Sequence, residues 1–243
     1  MSTATHRGHP ARGRSVVSGV IGVSGEILVT LGVLLALFLV WQLWWTDVIA
    51  GRDQDGLLAG FDDQYGAVGQ QIAPRQEGPP PVPDQPTEGQ VFGTLHIPAF
   101  SRDRMPLAEG VDLETVLNVK GVGHYPETAL PGQEGNFSVA GHRNTYGRPF
   151  YEIAELREGD AIVVETGDAF YVYEMTEAEV VTPEQVEVIA PVPGEPGAEP
   201  TERMLTLTAC HPLFSARERY VVHAEFVYWT DRADGIPEAL AEN

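Results

Sequence analysis

Residues 203–230 read RMLTLTACHPLFSARERYVVHAEFVYWT. From Met204 to Thr208 apolar and polar side chains alternate, the two-residue period of a strand with one buried face. The run ends at Cys210, because Pro212 cannot donate to a ladder. A second run, rich in β-branched and aromatic residues, opens at Arg219 and lasts to Thr230. The stretch predicts two strands joined by a polar loop. The only cysteine of the chain ends the first strand, and an arginine opens the second.

Working outward, DAIVVET (Asp160 to Thr166) and AFYVYEMTEAEVV (Ala169 to Val181) predict a hairpin across Gly167 and Asp168. NFSVAGH (Asn136 to His142) and VFGTLHIP (Val91 to Pro98) read as strands. Leu113 to Val119 predicts a short helix capped by Asp112, and Phe150 to Leu156 a helical turn. Pro183 to Glu202 is a Pro/Gly/Glu-rich loop with room for one helical turn. About seven or eight strands with few helices predict a mainly β domain, closed or nearly closed into a barrel, over residues 91–230. Residues 231–243 read as a short acidic tail.

Upstream, Ile27 to Trp45 (ILVTLGVLLALFLVWQLWW) carries no charge. As a helix it spans roughly 28 Å, close to the hydrocarbon thickness of a bilayer. Trp41, Trp44 and Trp45 gather at its end, as interfacial aromatics do. Arg7, Arg12 and Arg14 precede it, while Asp47, Asp53 and Asp55 follow with Arg52 among them. The positive-inside rule puts residues 1–26 in the cytoplasm and the rest outside. A cleaved signal peptide ending at Val48-Ile-Ala50 competes, but the run is long and bulky for one. Residues 46–90, with PRQEGPPPVPDQPTEGQ at their end, read as an extracellular Pro-rich linker.

The chain holds 35 acidic and 15 basic residues, a net charge of -20. Nucleic-acid binding rests on Lys and Arg meeting phosphates, so that class is excluded. Outside the cell a single cysteine cannot pair within its own chain. It is an inert buried thiol, an intermolecular link or a nucleophile. A nucleophilic thiol needs a base. Of His96, His124, His142, His211 and His223, His211 points to the opposite face from Cys210 on a strand. His142 ends a strand after a glycine that admits close neighbours. Arg219, across the loop from Cys210, offers planar donors to an oxyanion, with Arg217 and Arg203 as rivals. One Cys and scattered His lack zinc-ligand spacing, and no metal or cofactor is expected.

AGHRNTYGRPF (Ala140 to Phe150), TLTACHP (Thr206 to Pro212) and RYVV (Arg219 to Val222), in that order behind an apolar anchor, resemble the sortase family. That family carries Gly-His at a strand end, then TLxTC, then an arginine opening the last strand. Ala209 stands where threonine is common. The resemblance implies a closed eight-stranded sortase-type β-barrel with short helices, preceded by one N-terminal transmembrane helix. It also implies a Gram-positive cysteine transpeptidase with His142, Cys210 and Arg219 as catalytic residues. Implied partners are surface proteins with C-terminal sorting signals, a peptidoglycan-precursor amine and the membrane.

GVGHYPETALPGQEGNFSVAGHRNTYG (Gly121 to Gly147) resembles class E sortases, associated with Leu-Ala-x-Thr-Gly signals beside the commoner Leu-Pro-x-Thr-Gly. Tyr125 then falls near the signal-binding strand end, where its ring would narrow the pocket for the second signal residue. Ala140, Thr208, Val186 and Ile189 complete the expected substrate contacts. An L,D-transpeptidase fits less well, because Thr208-Ala209 precede Cys210 and Pro212 follows two residues later. A pilin-polymerising sortase and a non-catalytic wall-binding module are the remaining alternatives.

Overall fold

The strands hydrogen-bond into a closed barrel in the order β1-β2-β3-β4-β7-β8-β6-β5. They are β1 (Val91–His96), β2 (Arg104–Glu109), β3 (Val122–His124), β4 (Gly135–Gly141), β5 (Ala161–Thr166), β6 (Ala169–Val181), β7 (Arg203–His211) and β8 (Glu218–Asp231). These come from a computed structural model that describes residues 16–76 and 78–241. Two compact units divide the chain, Met1–Trp44 and Trp45–Asn243. Helix α1 (Val16–Tyr65) runs through the boundary, and its Gly19–Trp41 part, mean hydropathy 2.4, is long and apolar enough to cross a membrane. Arg7, Arg12 and Arg14, on which the expected orientation rests, lie outside the described residues.

Alternation decides which side chains fill the barrel. Leu205, Leu207 and Ala209 of β7 join the core with Phe137 and Val139 of β4 and Val222 and Ala224 of β8. A fully buried Leu or Phe of this kind contributes about 1.5–3 kcal/mol. Thr206, Thr208 and Cys210 therefore face the other side of β7. This strand pairs in parallel with β4, with Ala140 beside Thr208, and antiparallel with β8, with Cys210 opposite Arg219. The barrel thus brings the ends of β4 and β7 together although about sixty residues of chain separate them.

Two strands escape the sequence reading. β2 contains Pro106, which argues against a paired strand, and β3 has three residues. They pair in parallel through a helical crossover, a π turn at Leu113–Leu117 followed by α2 (Asn118–Lys120). Asp112 caps that crossover as expected, its Oδ1 accepting from the N–H groups of Glu114 and Thr115.

The segment read as a Pro-rich linker, residues 46–90, falls in the same compact unit as the barrel. Ala50, Gln54 and Phe61 of α1 are buried at helical spacing, with Leu57 and Leu58 half-buried between them. Gln54 within this stripe, and the half-buried Gly51 beside it, obscure its pattern in the sequence. Farther on, Gln76 N–H donates to Trp229 O at 2.9 Å, and Pro81 O accepts from the hydroxyl of Tyr171 at 2.9 Å. Tyr171 is buried, and without Pro81 its hydroxyl would lose this partner. Burial pushes its pKa up to about 12. The acidic tail is likewise built in, since Ile236 bridges to Ile72.

Glu165, buried in β5, ties these flanks to the barrel. It accepts from Thr94 at 2.7 Å, His96 Nε2 at 2.9 Å, Arg104 Nη2 at 3.2 Å and Arg232 Nε at 2.9 Å. Burial alone would raise this carboxyl. The hydrogen bond and charge of His96, with Thr94 and Arg104, outweigh it and draw the pKa down to about 2. Arg104 also pairs with Asp62 of α1 at 2.7 Å. Arg232 donates to the carbonyls of Tyr65 and Gly66, covering the C-terminal end of the helix.

Candidate active site

Cys210, half-buried, is the last residue but one of β7, and the residue after β4 is His142. Both line one cleft of about 360 Å³, with Arg143, Asn144, Phe214 and Ala216. A cleft of about 390 Å³ beside Asp62, His96, Arg104 and Glu165 contains no cysteine, so the thiol chemistry belongs to the first. Gly141, immediately before His142, is where the ring of Phe150 packs: a Cβ there would lie 2.7 Å from it. Phe150 N–H in turn donates to His142 O at 3.0 Å. The glycine therefore lets the loop after β4 fold back tightly at the histidine.

His142 Nε2 donates to Asn118 Oδ1 of α2 at 2.7 Å. In the neutral ring this leaves Nδ1 unprotonated and able to act as a base. Its ring packs on Tyr146 at a centroid distance of 5.1 Å. Burial lowers the pKa of His142 below the ordinary 6.5, favouring the neutral imidazole near pH 7.

Arg219 stands opposite Cys210 in the β7–β8 register. Its Nη1 donates to Ala216 O and Glu218 O, both at 3.0 Å, so it also holds the loop that forms one wall of the cleft. Arg143 was missed by sequence reasoning, although it directly follows His142. Its guanidinium is buried, donates to His211 Nδ1 at 2.8 Å and lies over the Tyr220 ring.

The expected substrate contacts divide. Tyr125, Ala140 and Thr208 come together: Tyr125 packs with Ala140, and its hydroxyl lies 3.0 Å from Thr208 Oγ1. Val186 and Ile189 are not brought to the cysteine cleft. Val186 is exposed, and Ile189 packs with Val181, Val188 and Val221. The single turn they occupy is fixed instead by Asn136, whose amide donates to Val188 O and Ala190 O.

Residues 95–227 match the sortase domain model. The chain belongs to the sortase family. Sortase SrtE1 of Streptomyces coelicolor is 40% identical over 89% of this sortase, which spans 60% of that relative's length. SrtE2 of the same organism is 35% identical, covering 94% of this chain and 90% of that one. Two solved structures agree in fold with this sortase. The SrtA sortase from Actinomyces oris has a TM-score of 0.65 and 43% identity over 70% of this chain and 98% of its own. Sortase E1 from Streptomyces coelicolor, solved with a tripeptide in the active site, has a TM-score of 0.59 and 42% identity over 64% and 99%.

Proposed function

We propose that this sortase is a membrane-anchored cysteine transpeptidase that cuts a C-terminal sorting signal between Thr and Gly and passes the acyl group to a cell-wall precursor amine. The observation that carries the reading is the shared cleft of Cys210 and His142, with Arg219 in register opposite the cysteine. Neutral His142 takes the thiol proton as Cys210 Sγ bonds to the threonine carbonyl carbon. The carbonyl π pair moves to oxygen, and Arg219 steadies the resulting oxyanion. As the oxyanion re-forms the carbonyl, the C–N bond breaks and imidazolium His142 protonates the departing glycine amine. An incoming amine then attacks the thioester and gives its proton to His142. Collapse of that intermediate releases the Cys210 thiolate, which recovers the proton.

The Gly19–Trp41 span is the anchor, with the N-terminus cytoplasmic and the barrel outside. The sorting signal is of the Leu-Ala-x-Thr-Gly type, its second residue meeting the wall made by Tyr125, Ala140 and Thr208. The 3.0 Å contact between the Tyr125 and Thr208 hydroxyls supports a fixed ring at that position.

Full-length protein in detergent, given an amine acceptor and quenched Leu-Ala-x-Thr-Gly or Leu-Pro-x-Thr-Gly peptides, tests this reading. Faster cleavage of the alanine peptide, with a threonine-linked adduct absent from Cys210→Ala, is expected. A folded protein that cleaves neither peptide and forms no adduct leaves a non-catalytic wall-binding module instead.

A further inference from the structure

We infer that Gln54 of α1 is a positioning residue for His142, acting through the two loops that hold the imidazole. The inference rests on the reading of His142 as the proton-transfer group. Asn118 of α2 fixes the ring through Nε2, and Tyr146 packs on its face. Asn118 is followed closely by Gly121, and Tyr146 immediately by Gly147. The Gln54 amide is wedged against both glycines. A Cβ on Gly121 would meet its Nε2 at 3.2 Å, and one on Gly147 its Oε1 at 2.7 Å. Both glycines have positive φ, 99° and 80°, so each loop turns where a side chain would be strained and would strike Gln54.

The amide is specifically bonded as well as packed. Its Nε2 donates to Tyr146 O at 3.1 Å, and its Oε1 accepts from Arg102 Nη1 at 3.0 Å. Gln54 is 1% exposed, so loss of either bond leaves a buried polar group unpaired. Asp47, two turns earlier, supports the same loop, accepting from Gly147 N–H at 3.3 Å and pairing with Arg148 at 3.2 Å. Tyr146 and Arg148 both have positive φ without being glycine. That loop conformation costs energy and persists because its surroundings fix it. Two bonds to α1 and the Gln54 contact are what hold it from this side.

The charged and titratable groups around His142 are Cys210 across the cleft and Arg143 next in sequence, itself bonded to His211. Tyr146 lies on the ring, Arg148 is paired with Asp47, and Lys120 of α2 donates to Gly89 O. The charged partner of Gln54 itself is Arg102, which also pairs with Asp55 at 3.0 Å, so replacing the amide leaves the charged side chains in place and changes position and hydration.

The test compares Gln54→Met, which keeps volume without the polar bonds, and Gln54→Ala with Asp62→Ala. The last variant removes the Arg104 ion pair on the same helix, away from the cleft. Full-length proteins in detergent are read for Tm, for kcat and KM on the preferred signal peptide, and for His142 titration by NMR of its ring carbons. Gln54→Met is expected to lower kcat about tenfold, with KM within about twofold, and to raise the His142 midpoint toward 6.5 as water enters. Asp62→Ala is expected to lower Tm while kcat and the midpoint stay at wild type. A wild-type kcat and midpoint in Gln54→Met, or equal shifts in Asp62→Ala, would overturn the assignment. Should Gln54→Ala fail to fold, Gln54→Met decides. If the wild type cleaves no peptide, the catalytic reading falls and the titration still decides whether Gln54 sets the histidine's surroundings.

Discussion

Two polar regions of the barrel unit are built on opposite terms. Around Glu165 the carboxylate is saturated, with Thr94, His96, Arg104 and Arg232 all within hydrogen-bond reach. Around Cys210 the accounting does not close. Arg143 Nε and Asn144 Oδ1 are buried without hydrogen-bond partners among the described residues, and Tyr146, Arg148 and Phe214 hold left-handed backbone conformations. The first region spends its polarity on fixing α1 and the tail to the barrel. The second keeps unsatisfied groups and strained loops at the cleft proposed to handle a substrate and a proton. Folding free energy and chemistry are therefore separable in this molecule, and substitutions can test the separation.

The sharpest break is at the thiol. Cys210→Ala should bring peptide cleavage to background with little change in Tm, and His142→Gln should cost about 10²–10⁴-fold in kcat. A large Tm loss in either would mean that the cleft also carries the fold. Next in size, Glu165→Gln should cost on the order of 3–5 kcal/mol of stability, because the buried Arg232 and the half-buried Arg104 lose their anion. Chemical denaturation reads that loss, and kcat per folded molecule should hold.

The same region sets an acid limit. Glu165 has a folded pKa of about 2 against an ordinary 4.5, so its stabilisation is complete above about pH 4.5. It is lost as pH falls toward 2, and Glu165→Gln should flatten the fall in Tm over that window. In the cleft, falling pH protonates His142. Because burial lowers its pKa, the acid limb of kcat/KM should lie below 6.5. The two limbs should move independently in the two sets of variants.

Smaller effects refine the contrast. Tyr125→Phe removes the hydroxyl contact with Thr208 and should cost about 0.5–1.5 kcal/mol at most. Its informative readout is the ratio of alanine- to proline-peptide cleavage, and Tyr125→Ala should shift that ratio further. At the bottom of the scale, Arg75→Ala breaks an exposed pair with Glu238 and should change stability by about 0–1 kcal/mol in a denaturant titration.

Much of this was legible along the chain because the signals are local. The alternation in Met204 to Thr208 and the stop at Pro212 put Cys210 at a strand end, and β7 ends one residue later, at His211. The hairpin across Gly167 and Asp168 and the Asp112 cap depend on neighbours a few residues apart, and they formed as read. His142, Cys210 and Arg219 were singled out by motif. What the sequence could not state was adjacency across the barrel. Parallel pairing of β4 with β7 puts Ala140 beside Thr208, and no turn signal announces a partner so distant. Pro106 concealed β2, and Gln54 interrupted the apolar stripe that would have marked Trp45 to Tyr65 as packed.

The sequence by itself determined strand character, an apolar span long enough to cross a membrane and the candidate reactive groups, since periodicity and residue chemistry are carried by short stretches. Tertiary structure alone decided that Val186 and Ile189 stand apart from the cysteine cleft. It alone decided that Pro81 covers Tyr171 and that an amide on α1 separates Gly121 from Gly147. Such contacts join residues tens of positions apart, and they exist only once barrel closure has fixed which strands are neighbours.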